Sequence, residues 1–185
     1  VKNDVLSFIR ILASRYEIDN LKNLLRLWFD KIMRKRDIHD ALLYIYRKKI
    51  HFDLHCDKVL AARDFTGIAE ILKHTPYAEI ILKTQTVVSE HQSLFYTESE
   101  LDHYYYNRLI NEVERLKKQD RDIARRLVGV EIDIQNINLI IRIKQMYNLS
   151  FDDVAAYLLP YGYSINRKSL SHIYATQDVT SVLKG

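Results

Sequence analysis

The residues best suited to metal or nucleophilic chemistry stand in one run, His51-x-x-x-His55-Cys56. Two histidines at that spacing share a helix face, and also one face of a strand, with a thiolate beside them. A zinc site needs a fourth ligand and the run supplies none, so the three read as polar residues of a connector. Cys56 as a nucleophile paired with His55 fails on geometry, because sequence neighbours point apart in either element. The four glycines, Gly67, Gly129, Gly162 and Gly185, are isolated, which excludes phosphate-cradling glycine loops and the Gly-x-Ser-x-Gly turn of a serine hydrolase. Tyr104, Tyr105 and Tyr106 could stack on bases, yet three successive helical residues spread over roughly 200° and make no platform. The sequence predicts no catalytic residue, no metal and no cofactor.

The elements that would have to position any site are helices. The chain has 185 residues, 48% hydrophobic and 28% charged, enough apolar material for a core. Four glycines and two prolines leave few tight turns, which disfavours a sandwich or barrel and predicts an all-α fold with little or no sheet. A single cysteine, Cys56, excludes an internal disulfide and any multi-cysteine metal site. No run of about 18 apolar residues is present, which predicts no membrane span, and the charged first residues predict no secretory leader.

Charge is uneven. Residues 1–50 hold twelve Lys and Arg against six Asp and Glu, whereas the remainder is slightly acidic. The surplus sits in Lys31, Arg34, Lys35 and Arg36, and again in Arg47, Lys48 and Lys49. The first cluster follows an apolar helical stripe, where cations complement the helix dipole, and is the candidate contact for an acidic partner or an anionic headgroup. It lacks the interleaved aromatics of a nucleic-acid surface.

Apolar residues at Ile18, Leu21, Leu24, Leu25, Trp28 and Ile32 mark one buried helix face. Ala41, Leu42 and Ile45 continue in helical period, and Ile50, Phe52 and Leu54 alternate as a short extended connector would. Asp57 and Asp64 start short helices, and Thr75-Pro76 reads as cap and first helical position. Thr97-x-x-Glu100 is a capping box ahead of Leu101, Tyr105, Leu109, Val113, Leu116, Ile123 and Leu127, which predicts one long helix to Gly129 and another from about Val130 to Tyr147. Ser150-x-x-Asp153 is a second box, Pro160-Tyr161-Gly162 a stop, and Asn166 a further cap.

The chain also repeats itself. Glu17-x-x-Asn20-Leu21-x-x-Leu24-Leu25-Arg26 recurs as Asp133-x-x-Asn136-Ile137-x-x-Ile140-Ile141-Arg142, 116 positions later. Ala61-x-x-Asp64-Phe65-Thr66 recurs as Ala175-x-x-Asp178-Val179-Thr180 at an offset of 114. Two patterns in the same order at nearly equal offsets indicate duplication of a helical unit, the second cut short. The expected division is residues 1–96, one helical unit partial at its N-terminus, and 97–185, a long connecting helix with a truncated second unit. At 100° per residue Glu17 and Asp133 fall inside the apolar arcs of their helices, with Asn20 and Asn136 at the edge. Buried carboxylates need donors, expected from a neighbouring helix. Arg26 and Arg142 lie roughly opposite the arcs and must reach another helix, another subunit or solvent.

The repeated acid-x-x-Asn helix, the Ala-x-x-Asp helix start with its following Thr75-Pro76-Tyr77, and Glu100-Leu101-Asp102-x-x-Tyr105-Tyr106 resemble a component of the vacuolar/archaeal-type rotary ATPases, the C subunit of prokaryotes and the d subunit of eukaryotes. The resemblance covers most of the chain. It implies an all-helical, funnel-shaped protein of three related units, peripheral on the cytoplasmic side of a membrane. Such a protein sits on the proteolipid ring and receives the foot of the central rotor shaft. It implies a non-catalytic adaptor of a proton- or sodium-translocating complex, with the shaft subunits and the ring as partners, no nucleic acid, and membrane association only through the complex. Family members are longer at both ends, so these residues make about one and a half units. The alternative from the residues alone is a helical-repeat scaffold or a basic nucleic-acid-binding module outside any ATPase.

Overall fold

A computed structural model describes residues 2–146 and 150–176, and within them every regular element is helical with no strand. The fold is all-α, as the composition predicts. The helices are α1 (Lys2–Ile32), a 3₁₀ turn (Asp40–Tyr44), α2 (Cys56–Ala61), α3 (Phe65–Ile71), α4 (Tyr77–His91), α5 (Phe95–Arg115), α6 (Lys118–Met146), α7 (Phe151–Ala155) and α8 (Arg167–Ala175). Chain contacts divide them into two compact units, Leu6–Tyr105 and the described part of Val1–Val5 with Tyr106–Gly185, and the division falls inside α5.

In the unit Leu6–Tyr105, the stripe Ile18, Leu21, Leu24, Leu25 and Trp28 is almost wholly withdrawn from solvent. Each such side chain contributes about 1.5–3 kcal/mol of transfer free energy, so this face of α1 is the spine of the unit. Trp28 meets Phe65 edge to face at 4.9 Å, and Val59, Ile68, Leu72, Ile81 and Leu101 complete the core. Asp64 caps α3 through the Gly67 N–H at 2.8 Å. Thr75 accepts from the Tyr77 N–H at 3.2 Å, one residue out of the expected register, so that α4 begins at Tyr77 with Pro76 as its cap.

In the other unit, α6 packs on α8 and α7 meets α8. Tyr106, Leu109, Val113, Val128, Ile132, Ile140, Ile143, Val154, Leu170 and Ile173 are buried. Ser150 and Asp153 form the expected reciprocal capping box, and Asn166 caps α8 through the Ser169 N–H at 2.9 Å.

Three expectations about element boundaries are corrected. Thr97 lies inside α5, which starts at Phe95; its hydroxyl is buried against that of Thr84 at 2.7 Å instead of capping a helix. The long helix breaks at Leu116 and Lys117, not at Gly129, which lies within α6. No glycine or proline marks the break, and the bidentate pair of Arg125 on Glu114 at 2.6–2.7 Å spans it. Beyond it the predicted stripe faces solvent at Ile123 and Leu127. The segment holding Ile50, Phe52 and Leu54 forms bends instead of extended strand, because its N–H groups turn toward a side chain of α1.

Candidate functional site

The acid and the asparagine of each repeat do the same work: they grip the backbone of the segment that follows their helix. Glu17, 1% exposed, points into the apolar face of α1. Its Oε2 accepts the N–H groups of His51 at 2.6 Å and Phe52 at 2.8 Å, and its Oε1 accepts the Tyr77 hydroxyl at 2.7 Å. One turn along, Asn20 Nδ2 donates to the Tyr46 carbonyl at 2.7 Å while Oδ1 accepts the Tyr46 N–H at 2.9 Å. An irregular segment is thereby held at both ends by one helix, and the buried carboxylate has the donors that burial requires.

On α6, Asp133 is 5% exposed and its Oδ2 accepts the N–H groups of Tyr163 at 3.2 Å, Ser164 at 2.7 Å and Ile165 at 3.3 Å. Asn136 donates from Nδ2 to the Leu159 carbonyl at 2.9 Å and accepts the Leu159 N–H at 2.8 Å. The asparagine takes the nearer residue and the acid the farther ones, the same order as in the first repeat. A third contact extends the parallel. Trp28 Nε1 donates to the Ala62 carbonyl at 2.8 Å, and Lys144 Nζ donates to the Thr176 carbonyl. Both donors stand eight residues after the asparagine, and both acceptors cap the short helix that the repeat carries, α2 or α8. Tryptophan and lysine share no side-chain chemistry beyond an N–H, which hides this pair from sequence comparison.

The remaining repeat residues are dispersed. Arg26 reaches α5, donating from Nε and Nη2 to the two carboxylate oxygens of Glu98 at 2.6 and 2.8 Å. That hydrogen bond holds the guanidinium above its ordinary pKa. Arg142 is exposed on α6, Asp64 serves as the α3 cap, and Asp178 lies outside the described residues. Of the basic cluster, Arg34 and Arg36 both face Asp30, at 2.9 and 3.7 Å. Lys31 Nζ donates to the Leu60 carbonyl at 3.1 Å, and Lys35 takes the left-handed φ of 53° where α1 has ended. The cluster is therefore partly a helix terminus stabilising itself, with Arg34 also 5.2 Å from the Phe29 ring centroid.

His51, His55 and Cys56 do not converge. His51 Nε2 meets the Arg10 carbonyl at 2.8 Å, His55 Nδ1 lies 3.4 Å from Asp53, and the Cys56 thiol donates to the Tyr46 carbonyl at 3.8 Å. Burial pushes that thiol above its usual pKa, away from the thiolate a nucleophile needs. Among the described residues no three His, Cys, Asp or Glu are grouped to hold a metal ion.

Sequence reasoning missed the ion cluster of Lys22. Its Nζ, almost fully withdrawn from solvent, donates to Asp102 Oδ1, which also accepts from Arg15 Nη1 at 3.3 Å. Burial drives the Lys22 ammonium below its ordinary pKa against the opposing pull of Asp102. Lys22 sits inside the repeat motif, at one of its unspecified positions, and the charge pattern of α5 held the one available signal, an aspartate in a stretch of tyrosines. Tyr77 stands out in the sequence only by its place after Pro76, its hydroxyl contact with Glu17 being invisible without the fold.

No helix among the described residues is long and apolar enough to cross a membrane. The family described as ATP synthase (C/AC39) subunit matches residues 2–185. The chain is 29% identical to the C subunit of the A-type ATP synthase of Methanobrevibacter smithii over 98% of its own length and 46% of that protein's. It is 30% identical to the protein of the same name from Methanosphaera stadtmanae over 69% of the chain and 33% of that protein. With that of Methanosarcina mazei it shares 26% identity over 85% of the chain and 41% of the relative. The chain thus spans less than half the length of these relatives, and no solved structure matches it. By the match across nearly all its residues, the chain belongs to the ATP synthase (C/AC39) subunit family.

Proposed function

We propose that the chain is part of a non-catalytic central-stalk adaptor in a V/A-type rotary ATPase that translocates protons or sodium ions. In this reading it lies on the cytoplasmic side of the membrane and couples the rotor shaft to the proteolipid ring. The family and the names of the relatives support it, and the observation that carries it is the duplicated grip of Glu17 with Asn20 and Asp133 with Asn136. A part that passes torque must not yield at its connecting segments. Breaking a buried hydrogen bond so that its partner is left unsatisfied costs about 1–3 kcal/mol, whereas an exposed ion pair contributes about 1 kcal/mol or less. Long helices that hold their own loops by buried carboxylate and amide contacts are stiff where surface salt bridges are not. Within this reading Lys31, Arg34, Lys35 and Arg36 form the basic helix end offered to an acidic partner or a headgroup.

The test is to remove the protein from the assembled complex. Ion pumping is expected to fall away while the soluble head retains ATP hydrolysis. Pumping at the wild-type level without it overturns the adaptor role. Recovery of the protein on RNA or DNA in a salt-sensitive complex, with no ATPase subunit accompanying it, points to the binding-module alternative instead.

A further inference from the structure

None of the five residues of the 3₁₀ turn Asp40–Tyr44 is buried. Leu43 and Tyr44 are 84% and 83% exposed, and Tyr46, just beyond them, is half exposed. A single exposed leucine is ordinary, but adjacent apolar side chains left this open add nothing to the core and mark a contact surface. The turn is nevertheless fixed at its base. Ile45 is buried, and Asn20 holds both backbone polar groups of Tyr46 at 2.7 and 2.9 Å. Leu43 and Tyr44 are therefore carried outward on a held segment.

The residues that follow Tyr46 are Arg47, Lys48 and Lys49, all exposed. Arg47 pairs with Asp57, while Lys48 and Lys49 have no ion-pair partner among the described residues. From Leu43 to Lys49 the chain carries three cations and no acid. The second repeat shows that the fold does not require this pattern. Counted from Leu159, the residue that Asn136 holds, Leu43 and Tyr44 correspond to Ala156 and Tyr157, and Arg47-Lys48-Lys49 to Pro160-Tyr161-Gly162. There the preceding helix, α7, buries Val154, and the three cations are absent.

We propose that Leu43, Tyr44, Tyr46, Lys48 and Lys49 form a contact for the surface of an anionic lipid bilayer. The leucine and the tyrosines enter the interfacial layer, and the lysines meet headgroup phosphates. Unpaired cations select a polyanion, and the apolar residues select a bilayer among polyanions. Tyrosine settles at the headgroup level, and a leucine exposed on a turn enters a fluid layer without needing a shaped pocket. The basic end of α1 differs, since Asp30 already takes Arg34 and Arg36. The patch adds a direct lipid contact to a membrane association that the adaptor reading makes only through the complex, and it stands without that reading.

The test is flotation of the protein with vesicles of phosphatidylcholine, alone or with about one third phosphatidylglycerol. Binding is expected to the mixed vesicles only, weakening as salt is raised. Lys48→Glu with Lys49→Glu is expected to lower the partition coefficient at least about tenfold. Leu43→Ser with Tyr44→Ser is expected to lower it about tenfold at unchanged charge. Lys117→Glu with Lys118→Glu makes the same change of net charge at exposed positions of the other unit, and is expected to lower it less than about threefold. The four patch positions are all exposed, so the circular dichroism of both patch variants is expected to match the wild type. Absence of binding to the mixed vesicles overturns the proposal. So does equal weakening by the two lysine pairs, which would report net charge alone. Wild-type vesicle binding by the Leu43→Ser, Tyr44→Ser protein, or equal affinity of the wild type for polyglutamate or RNA, overturns it in favour of a soluble polyanion. The vesicles carry no ATPase subunit, so this result and that of the adaptor test are independent.

Discussion

Asn136 holds Leu159 by the same two hydrogen bonds with which Asn20 holds Tyr46, a donor to the carbonyl and an acceptor for the N–H, all between 2.7 and 2.9 Å. A side-chain amide used in this way substitutes for a peptide of a neighbouring strand. It satisfies both polar groups of one loop residue at once and fixes where along the loop the helix makes contact. Aspartate could accept but not donate, and leucine could do neither, so the identity of the residue follows from the geometry.

Replacing either asparagine by leucine therefore leaves an N–H and a carbonyl without partners in a buried or half-buried place. Asn20→Leu and Asn136→Leu are each expected to lower stability by about 2–3 kcal/mol, the second more, since Asn136 and Leu159 are both buried. Asn107→Leu, at an exposed position of α5, is expected to change it by less than about 0.5 kcal/mol. Urea unfolding of the three variants separates them, and equal midpoints would show that the amide contacts contribute nothing.

The acids should behave the same way, with a distinction between them. Glu17→Ala strands two N–H groups and the Tyr77 hydroxyl, and Asp133→Ala strands three N–H groups, so losses of about 3 kcal/mol or more are expected from each. Asp152→Ala removes only an exposed partner of Arg167 and should cost less than about 1 kcal/mol. Tyr77→Phe should cost about 1 kcal/mol in the wild-type background and much less once Glu17 is alanine. A double-mutant cycle on Glu17 and Tyr77 that closes to zero would show the hydroxyl contact to be energetically silent.

Gly162 is required by space, not by its backbone angles. A Cβ added there would lie 2.2 Å from Asp133 Oδ1 and 3.3 Å from the Ile165 carbonyl, so Gly162→Ala must displace the carboxylate that holds Tyr163, Ser164 and Ile165. The positive φ of this turn falls on Tyr161 instead, at 73°. Gly129 is tight for a related reason, a Cβ there coming within 2.8 Å of Tyr163 Cβ. Gly162→Ala is expected to lower the melting temperature by several degrees, about 2 kcal/mol or more, and in the Asp133→Ala background to cost markedly less. An additive outcome would mean that the clash lies elsewhere.

The helical class, the buried face of α1, the caps Asp64, Ser150 and Asn166, and the burial of Glu17 and Asp133 were legible because each depends on local spacing. What the acids and asparagines hold was not. Their partners are backbone groups 23 to 35 residues away, and a backbone N–H carries no residue label. The break at Leu116 is hidden because the apolar period runs on through Ile123 and Leu127 without a helix-breaking residue. Gly129 suggests a helix end by its type, whereas its role is to admit the backbone of Tyr163, a contact fixed only by tertiary packing.

Lys22 offers a test that depends on protons. Its pKa in the folded protein is driven by burial below the ordinary value of 10.5, so between the folded value and 10.5 the unfolded chain binds a proton that the folded chain has released. Stability from this group therefore rises with pH across that window. Below it the ammonium is charged in both states, and the cost of burying it, offset by Asp102, is constant. Lys22→Met keeps the length and apolar stem of the side chain and leaves Arg15 facing Asp102. The difference in unfolding free energy, wild type minus Lys22→Met, is expected to be flat around neutrality and to climb toward pH 10.5, the tyrosines and other shared groups cancelling in the subtraction. A difference that stays flat over the whole range would mean that Lys22 is solvated in the folded protein, and a falling one that Asp102 outweighs burial and raises the pKa instead.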